Sequence, residues 1–509
     1  MSRVRNSGII GVLATALCGG VWAQDSSADP GQAAATKQEP VAAYGQPNTS
    51  PVSDNPPLSG IDQPTLEPHS APLSYLQAGA TASESADSNV ENGLGGGSFR
   101  SVSRGIGSLT LQRLWSHYDL GLQYEGGAGY YNLKGIGWKL LQQLDAQQKI
   151  AWKRGQLAFR DSFSYLPEGN FGSAYGSLGS LGISSLGSTS FGSFVGGTSL
   201  GTLGIVPRIT NVSLVDMNES LTPRSTVTAA VGYALTHFFA SDPVSGTQYL
   251  NNRQLSGQVG YNHLISAHSQ LALVYGYQGF DFDSVGTSFH TNVVEVMFGH
   301  RISGRMDFMI GAGPQFTNIG LPCSFIDILE GNRHCQTDNS GNISGQKPDF
   351  RVGVTAMSRF RYHFTKTMLD ASFQRVETSG SGFFAGAQSD IARLKVERPL
   401  TRVWSGFSDL GYVRNSRLQP LTAQQQGTCG GMNQPVCPGV NANTYNYGFV
   451  GVGVHRTFGH DFHGFASYQF NELSFDNSYC VANLPCQRIG HRHVISLGLD
   501  WTPRPIRID

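Results

Sequence analysis

The stretch Phe350-Arg-Val-Gly-Val-Thr-Ala-Met-Ser-Arg-Phe-Arg-Tyr-His-Phe364 decides how this chain is read. Phe350, Val352, Val354, Ala356, Phe360, Tyr362 and Phe364 share one parity, and Arg351, Gly353, Thr355, Arg359, Arg361 and His363 share the other. Side chains alternate across a β-strand, so one face of this strand is greasy and the other wet. The period returns in Val227, Ala229, Val231, Tyr233 and Leu235, in Leu271, Leu273, Tyr275 and Tyr277, in Met306, Phe308, Ile310 and Ala312, and in Ile495, Leu497, Leu499 and Trp501.

Sixteen such strands are predicted, at 117–130, 138–152, 156–166, 208–219, 225–239, 253–265, 270–282, 288–302, 305–319, 349–364, 367–378, 389–399, 401–414, 444–458, 462–475 and 489–502. Every second linker is short, as at Ser303 and Gly304 or Thr365 and Lys366, while the longest of the others are 167–207, 320–348 and 415–443. Short turns at one end and long loops at the other are the habit of outer-membrane barrels, and an even strand number puts both barrel ends on the periplasmic side. A soluble sandwich with its greasy face inward gives the same alternation. Against it stand an export signal, the turn asymmetry, and Tyr118, Tyr124, Trp152, Tyr165, Trp404, Tyr412 and Trp501 near strand ends, where a membrane girdle places aromatics.

Composition narrows the class. Charged residues are 14% of the 509, and there are 64 Gly, 28 Phe and 19 Tyr. Soluble domains carry roughly 25% charge. No apolar run reaches the ~18 residues of a membrane helix, and the zero net charge argues against a nucleic-acid binder. Residues 1–23 read as a signal peptide, with Arg3 and Arg5 before a short apolar core and Val21-Trp22-Ala23 as cleavage site. Between 24 and 95, nine acids face Lys37 alone, nine Pro accompany only Tyr44 and Tyr75, and 24–97 is read as a disordered acidic periplasmic spacer. A lead-in at 98–116, the barrel at 117–502 and a tail at 503–509 complete the plan.

The chain resembles bacterial outer-membrane porin-like β-barrels, and most of all an uncharacterised acidobacterial barrel group. The resemblance rests on 161–169 (DSFSYLPEG), 299–307 (GHRISGRMD), 379–386 (SGSGFFAG) and 501–505 (WTPRP), and it covers roughly residues 96–509. Ser496-x-Gly498-x-x-Trp501 is similar to the final-strand signal of the barrel assembly machinery, although this chain runs on to Asp509 where the pattern ends on an aromatic. The resemblance implies an architecture more than a solute.

Apart from Cys18 in the signal, the cysteines form three close loop pairs, Cys323 and Cys335, Cys429 and Cys437, Cys480 and Cys486. Six cysteines allow fifteen connectivities. Local disulfides suit an oxidising envelope, and the absence of Cys-x-x-Cys speaks against zinc. The 167–207 linker, with eleven Gly among Leu and Phe, is expected to fold inward as a constriction. Gly197-Thr-Ser199-Leu-Gly201 matches a serine-hydrolase pattern without its strand–turn–helix context. His460 with His463, His491 with His493, and Asp281 with Asp283 are too sparse for metal sites.

These readings converge on an all-β transmembrane antiparallel barrel in the outer membrane. Its expected role is passive diffusion of small hydrophilic solutes, with lipid and the assembly machinery as partners, no cofactor, no enzymatic activity and no nucleic acid. A homo-oligomer and a periplasmic partner for the acidic segment are left open. The alternatives are a structural or adhesive barrel, a polysaccharide-export-associated barrel, and an outer-membrane hydrolase. Alternation puts Glu295, Arg301, Arg305, Asp307, Arg351, Arg359, Arg361, Asp370, Arg393, Lys395 and Glu397 on the lumen face, against a nearly uncharged sector of Thr226, Thr228, Thr236, Ser256, Gln258 and Gln278. The basic excess implies a weak anion preference, unless the charges pair off across strands.

Overall fold

A computed structural model describes residues 57–60, 74–90, 97–168, 205–239, 249–282, 286–323, 325–329, 333–337, 343–419, 442–479 and 487–508. Eighteen antiparallel strands close into a barrel. They are β1 (Tyr75–Asp87), β2 (Arg100–Leu114), β3 (Tyr118–Tyr131), β4 (Gly137–Trp152), β5 (Gly155–Glu168), β6 (Ile205–Thr222), β7 (Ser225–Phe238), β8 (Asn252–Ser266), β9 (Ser269–Phe282), β10 (Thr287–Ser303), β11 (Met306–Pro322), β12 (Ile343–His363), β13 (Met368–Thr378), β14 (Ala387–Pro399), β15 (Trp404–Arg417), β16 (Thr444–Phe458), β17 (Phe462–Phe475) and β18 (Ile489–Trp501). Each pairs with its sequence neighbours, and β1 pairs with β18 from Ala80↔Trp501 to Asp87↔Val494.

All sixteen expected strands are present as β3 to β18, and two more precede them. The barrel starts at Tyr75, inside the expected spacer, and β2 occupies the expected lead-in. The sequence hid β1 because its outward residues Ala78, Ala80 and Ala82 are small and Glu84 then breaks the apolar face. In β2 the period is inverted at its start. Val102 and Ile106 are buried inside while Ser101, Ser103, Gly105 and Gly107 point out. Both ends stay on the short-turn rim, because two added strands keep the number even. The 503–509 tail continues the seam: Ile506 and Arg507 pair with Leu76 and Tyr75, and Gln77 Nε2 donates to the Pro503 carbonyl over 3.1 Å.

The two faces part as the alternation requires. Tyr261, Leu273 and Val296 lie side by side on β8, β9 and β10, all exposed on the outside, and the expected greasy parity elsewhere is exposed or half-buried. The girdle residues Tyr118, Tyr124, Trp152, Trp404, Tyr412 and Trp501 are exposed too. Such a surface is stable only against hydrocarbon. Leu273→Arg should therefore destabilise the folded barrel by about 2–4 kcal/mol in lipid, the cost of a cation near the bilayer midplane. Urea titration in bilayers checks this, and the penalty should shrink for the same change nearer either rim.

The wall inside is polar. Thr228, Gln254, Ser256, Gln258, Gln278, Gln315, Thr317, Ser389, Gln469 and Asn471 all turn inward and are buried. At the seam Arg492 and Asp87 are wholly buried and bonded to each other, Nε lying 2.8 Å and 2.9 Å from the two carboxylate oxygens. Cys323 and Cys335 form a disulfide with Cα atoms 5.7 Å apart, tying down a loop that holds a short helix, α1 (Phe325–Leu329). Cys429, Cys437, Cys480 and Cys486, the signal segment 1–23 and the 169–204 stretch, which includes Ser199, lie outside the described residues.

Candidate functional site: the bore

Most of the expected lumen charges face inward, but they are largely paired. Arg359 binds Asp370 on β13, with Nε 3.1 Å from Oδ2, and Arg361 binds Asp307 on β11, with Nε 2.9 Å from Oδ1. Arg393 makes a two-pronged contact with Asp409 on β15, at 2.9 and 2.6 Å. Lys395 sits 2.6 Å from Glu397. Two of the three arginines on β12 thus find carboxylates across strands, so part of the expected basic excess is paired off. The reason is register: Arg361 lies opposite both Asp307 and Asp370 on the flanking strands, which leaves Asp370 within reach of Arg359. Arg351 is different, its guanidinium donating to the Leu418 carbonyl. Arg305 stands in the β10–β11 turn and is exposed at the rim, so its place is the mouth rather than the wall. Glu295 is buried on the lumen side of β10.

Near the long-loop rim the architecture changes. The register between β12 and β13 stops at Ala356↔Arg375, and the end of β13 leans into the lumen. Its Glu377 reaches past β12 to the hydroxyls of Thr291 on β10 and Thr317 on β11, the latter at 2.7 Å. The connection that follows, Ser379-Gly-Ser-Gly-Phe-Phe-Ala-Gly386, is carried inward with it. Gly382 and Gly386 adopt left-handed backbone with φ of 84° and 89°, open to glycine and strained for other residues. A Cβ on Gly386 would also lie 2.5 Å from the Phe289 ring, and one on Gly382 would lie 3.0 Å from Phe238.

Phe383 stacks edge-on to Tyr445 and Phe475, at centroid distances of 5.4 and 5.5 Å, and lies 5.7 Å from Tyr249. Phe384 packs on Tyr445 at 5.2 Å, and the Arg417 guanidinium lies 4.7 Å from its ring centre. Gly382 thus meets β7 while the adjacent Phe383 meets β16. Those strands are nine apart in a ring of eighteen, so the loop spans the bore between opposite walls. Phe280, Phe282 and Phe289, with Leu418 and Ile319, extend the apolar layer along β9 to β11. The 167–207 linker, expected as a constriction, lies almost wholly outside the described residues; among the described residues this eight-residue loop narrows the bore.

The wall behind the bridge is braced at the rim. Asp476, next to Phe475, accepts from the amides of Asn443 and Thr444 at 3.1 and 2.7 Å and from Ser478. Partial burial works against its charge, yet these donors hold the carboxyl below its ordinary value of 3.8. A depressed carboxylate contributes fully above the unfolded value, so this brace is complete above pH 3.8 and weakens as the pH falls further.

In the short-turn half, a piece of the chain from ahead of β1 lies inside the lumen. Pro57-Leu58-Ser59-Gly60 forms a turn, Gly60 N–H donating to the Pro57 carbonyl over 3.0 Å. Leu58 is buried among Ala272, Val274, Met297, Met309 and Met357 of β9 to β12. A cavity of about 40 Å³ separates it from Arg301, Asp307, Arg359 and Arg361.

No protein-family model matches the chain, and no curated protein matches it in sequence. Its shape is similar to that of outer-membrane proteins. Pseudomonas aeruginosa OccK2 (OpdF) aligns over 84% of this chain and 98% of its own, at 8% identity and a TM-score of 0.39. P. aeruginosa OpdK, crystallised with vanillate, aligns over 85% and 100% at 9% identity and 0.37. Acinetobacter baumannii OccAB3 aligns over 84% and 99% at 6% identity and 0.37. The bore of this chain has to be understood from its own residues.

Among the described residues no group of His, Cys, Asp or Glu is arranged to hold a metal. His491 and His493 face outward, beside Phe470 and Tyr468. His460 is exposed in the β16–β17 turn, and Asp283 lies outside the described residues.

Proposed function

We propose that the protein is an outer-membrane channel for passive diffusion of small hydrophilic solutes, narrowed by the aromatic bridge and weakly selective for anions. The observation that carries the reading is a polar wall along the inside of an eighteen-stranded ring. Small barrels are filled by their own side chains, whereas rings of 16–18 strands leave an aqueous lumen. A lining of uncharged Gln, Asn, Ser and Thr offers a passing solute both donors and acceptors without a charge barrier, with width doing most of the sorting. The short-turn rim, which holds both barrel ends, is the periplasmic one.

The ion pairs of β11 to β15 reduce the positive field that the alternation alone suggested. Arg351, beside the bridge and bonded to a carbonyl, supports what remains of an anion preference. Single channels in planar bilayers should show small discrete steps, and a salt gradient should give a reversal potential displaced toward anions. The triple change of Arg351, Arg359 and Arg361 to Ala should move that potential toward zero, with most of the shift recovered by Arg351→Ala alone. Screening at 1 M salt, where the Debye length is ~3 Å, should abolish it. Cation selectivity, or a triple variant that reads like wild type, would refute the preference.

A second reading is a structural or adhesive barrel with a closed bore. The bridge between β7 and β16 favours it, and absence of current from every variant with a weakened bridge would establish it.

A further inference from the structure

We infer that the uncharged sector of the lumen wall is a peptide-binding site, and that the chain's own Pro57–Gly60 turn occupies it and restricts conduction. The inference rests on the channel reading above.

The seat reads both backbone and side chain of one residue. Ser59 N–H donates to Asn262 Oδ1 over 3.1 Å, and the Ser59 carbonyl accepts from Gln258 Nε2 over 2.8 Å. Its hydroxyl lies between Thr228 Oγ1 and Asn262 Nδ2. These partners belong to β7 and β8, the sector without charges. The wall is bare where the turn lies: a Cβ on Gly260 would sit 2.3 Å from the Ser59 hydroxyl, and one on Gly299 would sit 2.6 Å from Leu58.

The leucine pocket points the same way. Three methionines, an alanine and a valine converge on the lumen side, apart from the aromatic layer at the other rim. Facing water they would be an uncompensated apolar patch, and Leu58 covers them. One leucine and one serine are few contacts for a permanent fastening, so the turn is held reversibly. Only residues 61–73 separate it from Ser74 and β1. A short tether gives an effective concentration on the order of millimolar, so a weak site stays occupied yet exchanges. Leu58 lines one cavity of about 40 Å³ together with Arg301, Asp307, Arg359 and Arg361, so the docked turn takes up space that a solute moving past those residues would need.

The test compares full-length wild type with Leu58→Asp and with Gly299→Val, by two readouts. Hydrogen exchange in detergent reports docking independently of current: Ser59 and Gly60 amides should be protected in wild type and unprotected in both variants. Leu58→Asp should lower the docked-to-released ratio roughly 10- to 100-fold, the equivalent of burying one leucine side chain. Both variants should then raise the mean current in bilayers. The rise in Gly299→Val is diagnostic, since added bulk on the wall would otherwise lower it. A synthetic peptide of residues 54–62 at millimolar concentration should block Leu58→Asp again and leave Gly299→Val unaffected. Lost protection with unchanged current overturns the gate alone, and unprotected wild-type amides overturn the site. No current from any of the three proteins overturns the channel reading and the gate with it.

Discussion

Asp87→Ala is expected to lower the stability of the folded barrel by about 3–5 kcal/mol, the usual consequence of stripping a buried ion of its partner. Arg492 would be left charged in a site where neither group of the pair touches solvent. The position matters as much as the burial. Asp87 is the last residue of β1, opposite Val494, so the pair fastens the one junction where the ring closes on itself. The expected result is a lower urea midpoint for the refolded protein and a larger unfolded fraction on a cold gel. Arg492→Ala should lower the midpoint as well, since the buried carboxylate then loses its partner. The double variant should recover part of the loss, since no ion is then left unpaired. An Asp87→Ala barrel with a wild-type midpoint would contradict the assignment.

Phe384→Ala should act on the bore rather than on the barrel. The side chain is almost completely buried between Tyr445 and the Arg417 guanidinium, at the point where the inward loop is anchored. Removing a buried phenylalanine costs about 3–5 kcal/mol. Here that cost falls on the loop's inward position, because the strand ladder on either side keeps every backbone bond. The loop should release as a local unit while the ring persists. Planar-bilayer recordings should show larger and more frequent current steps than wild type, with an unchanged urea midpoint. Gly386→Val should give the same phenotype from the other flank, through the Phe289 clash and the left-handed backbone. Unchanged currents in both would mean that the bridge does not limit passage.

The strands were legible wherever large apolar residues alternate with polar ones, because that period is a direct projection of lipid outside and water inside. It failed where the outward face is built from alanine, serine and glycine, as in β1 and the start of β2. The lumen face was legible as a list of residues and misleading as a field. Arg359 and Arg361 are neutralised by Asp370 and Asp307, which the chain places on neighbouring strands and only register brings opposite. The 379–386 loop looked like one of eight connections on the long-loop side. Its inward course depends on Glu377, beyond the end of the β12–β13 ladder, reaching β10 and β11, a contact across strands that no local pattern announces. Leu58 and Ser59 were invisible for a related reason. Four residues in a Pro-rich acidic segment carry no periodicity, and what marks them is a pocket more than 160 residues away in the chain.

The Asp87–Arg492 junction joins residues 405 positions apart. Until β18 is in place the sheet has two open edges, each offering a full row of unpaired amides and carbonyls to any other chain. Closing so distant a contact is slow, since a long loop of chain must be ordered before the contact returns anything. Other ladders can form between strands that follow one another, but this one has to wait for the last. The nascent sheet therefore needs its edges kept apart from one another and from neighbours for most of its assembly, and the residues at the seam set how long it stays vulnerable.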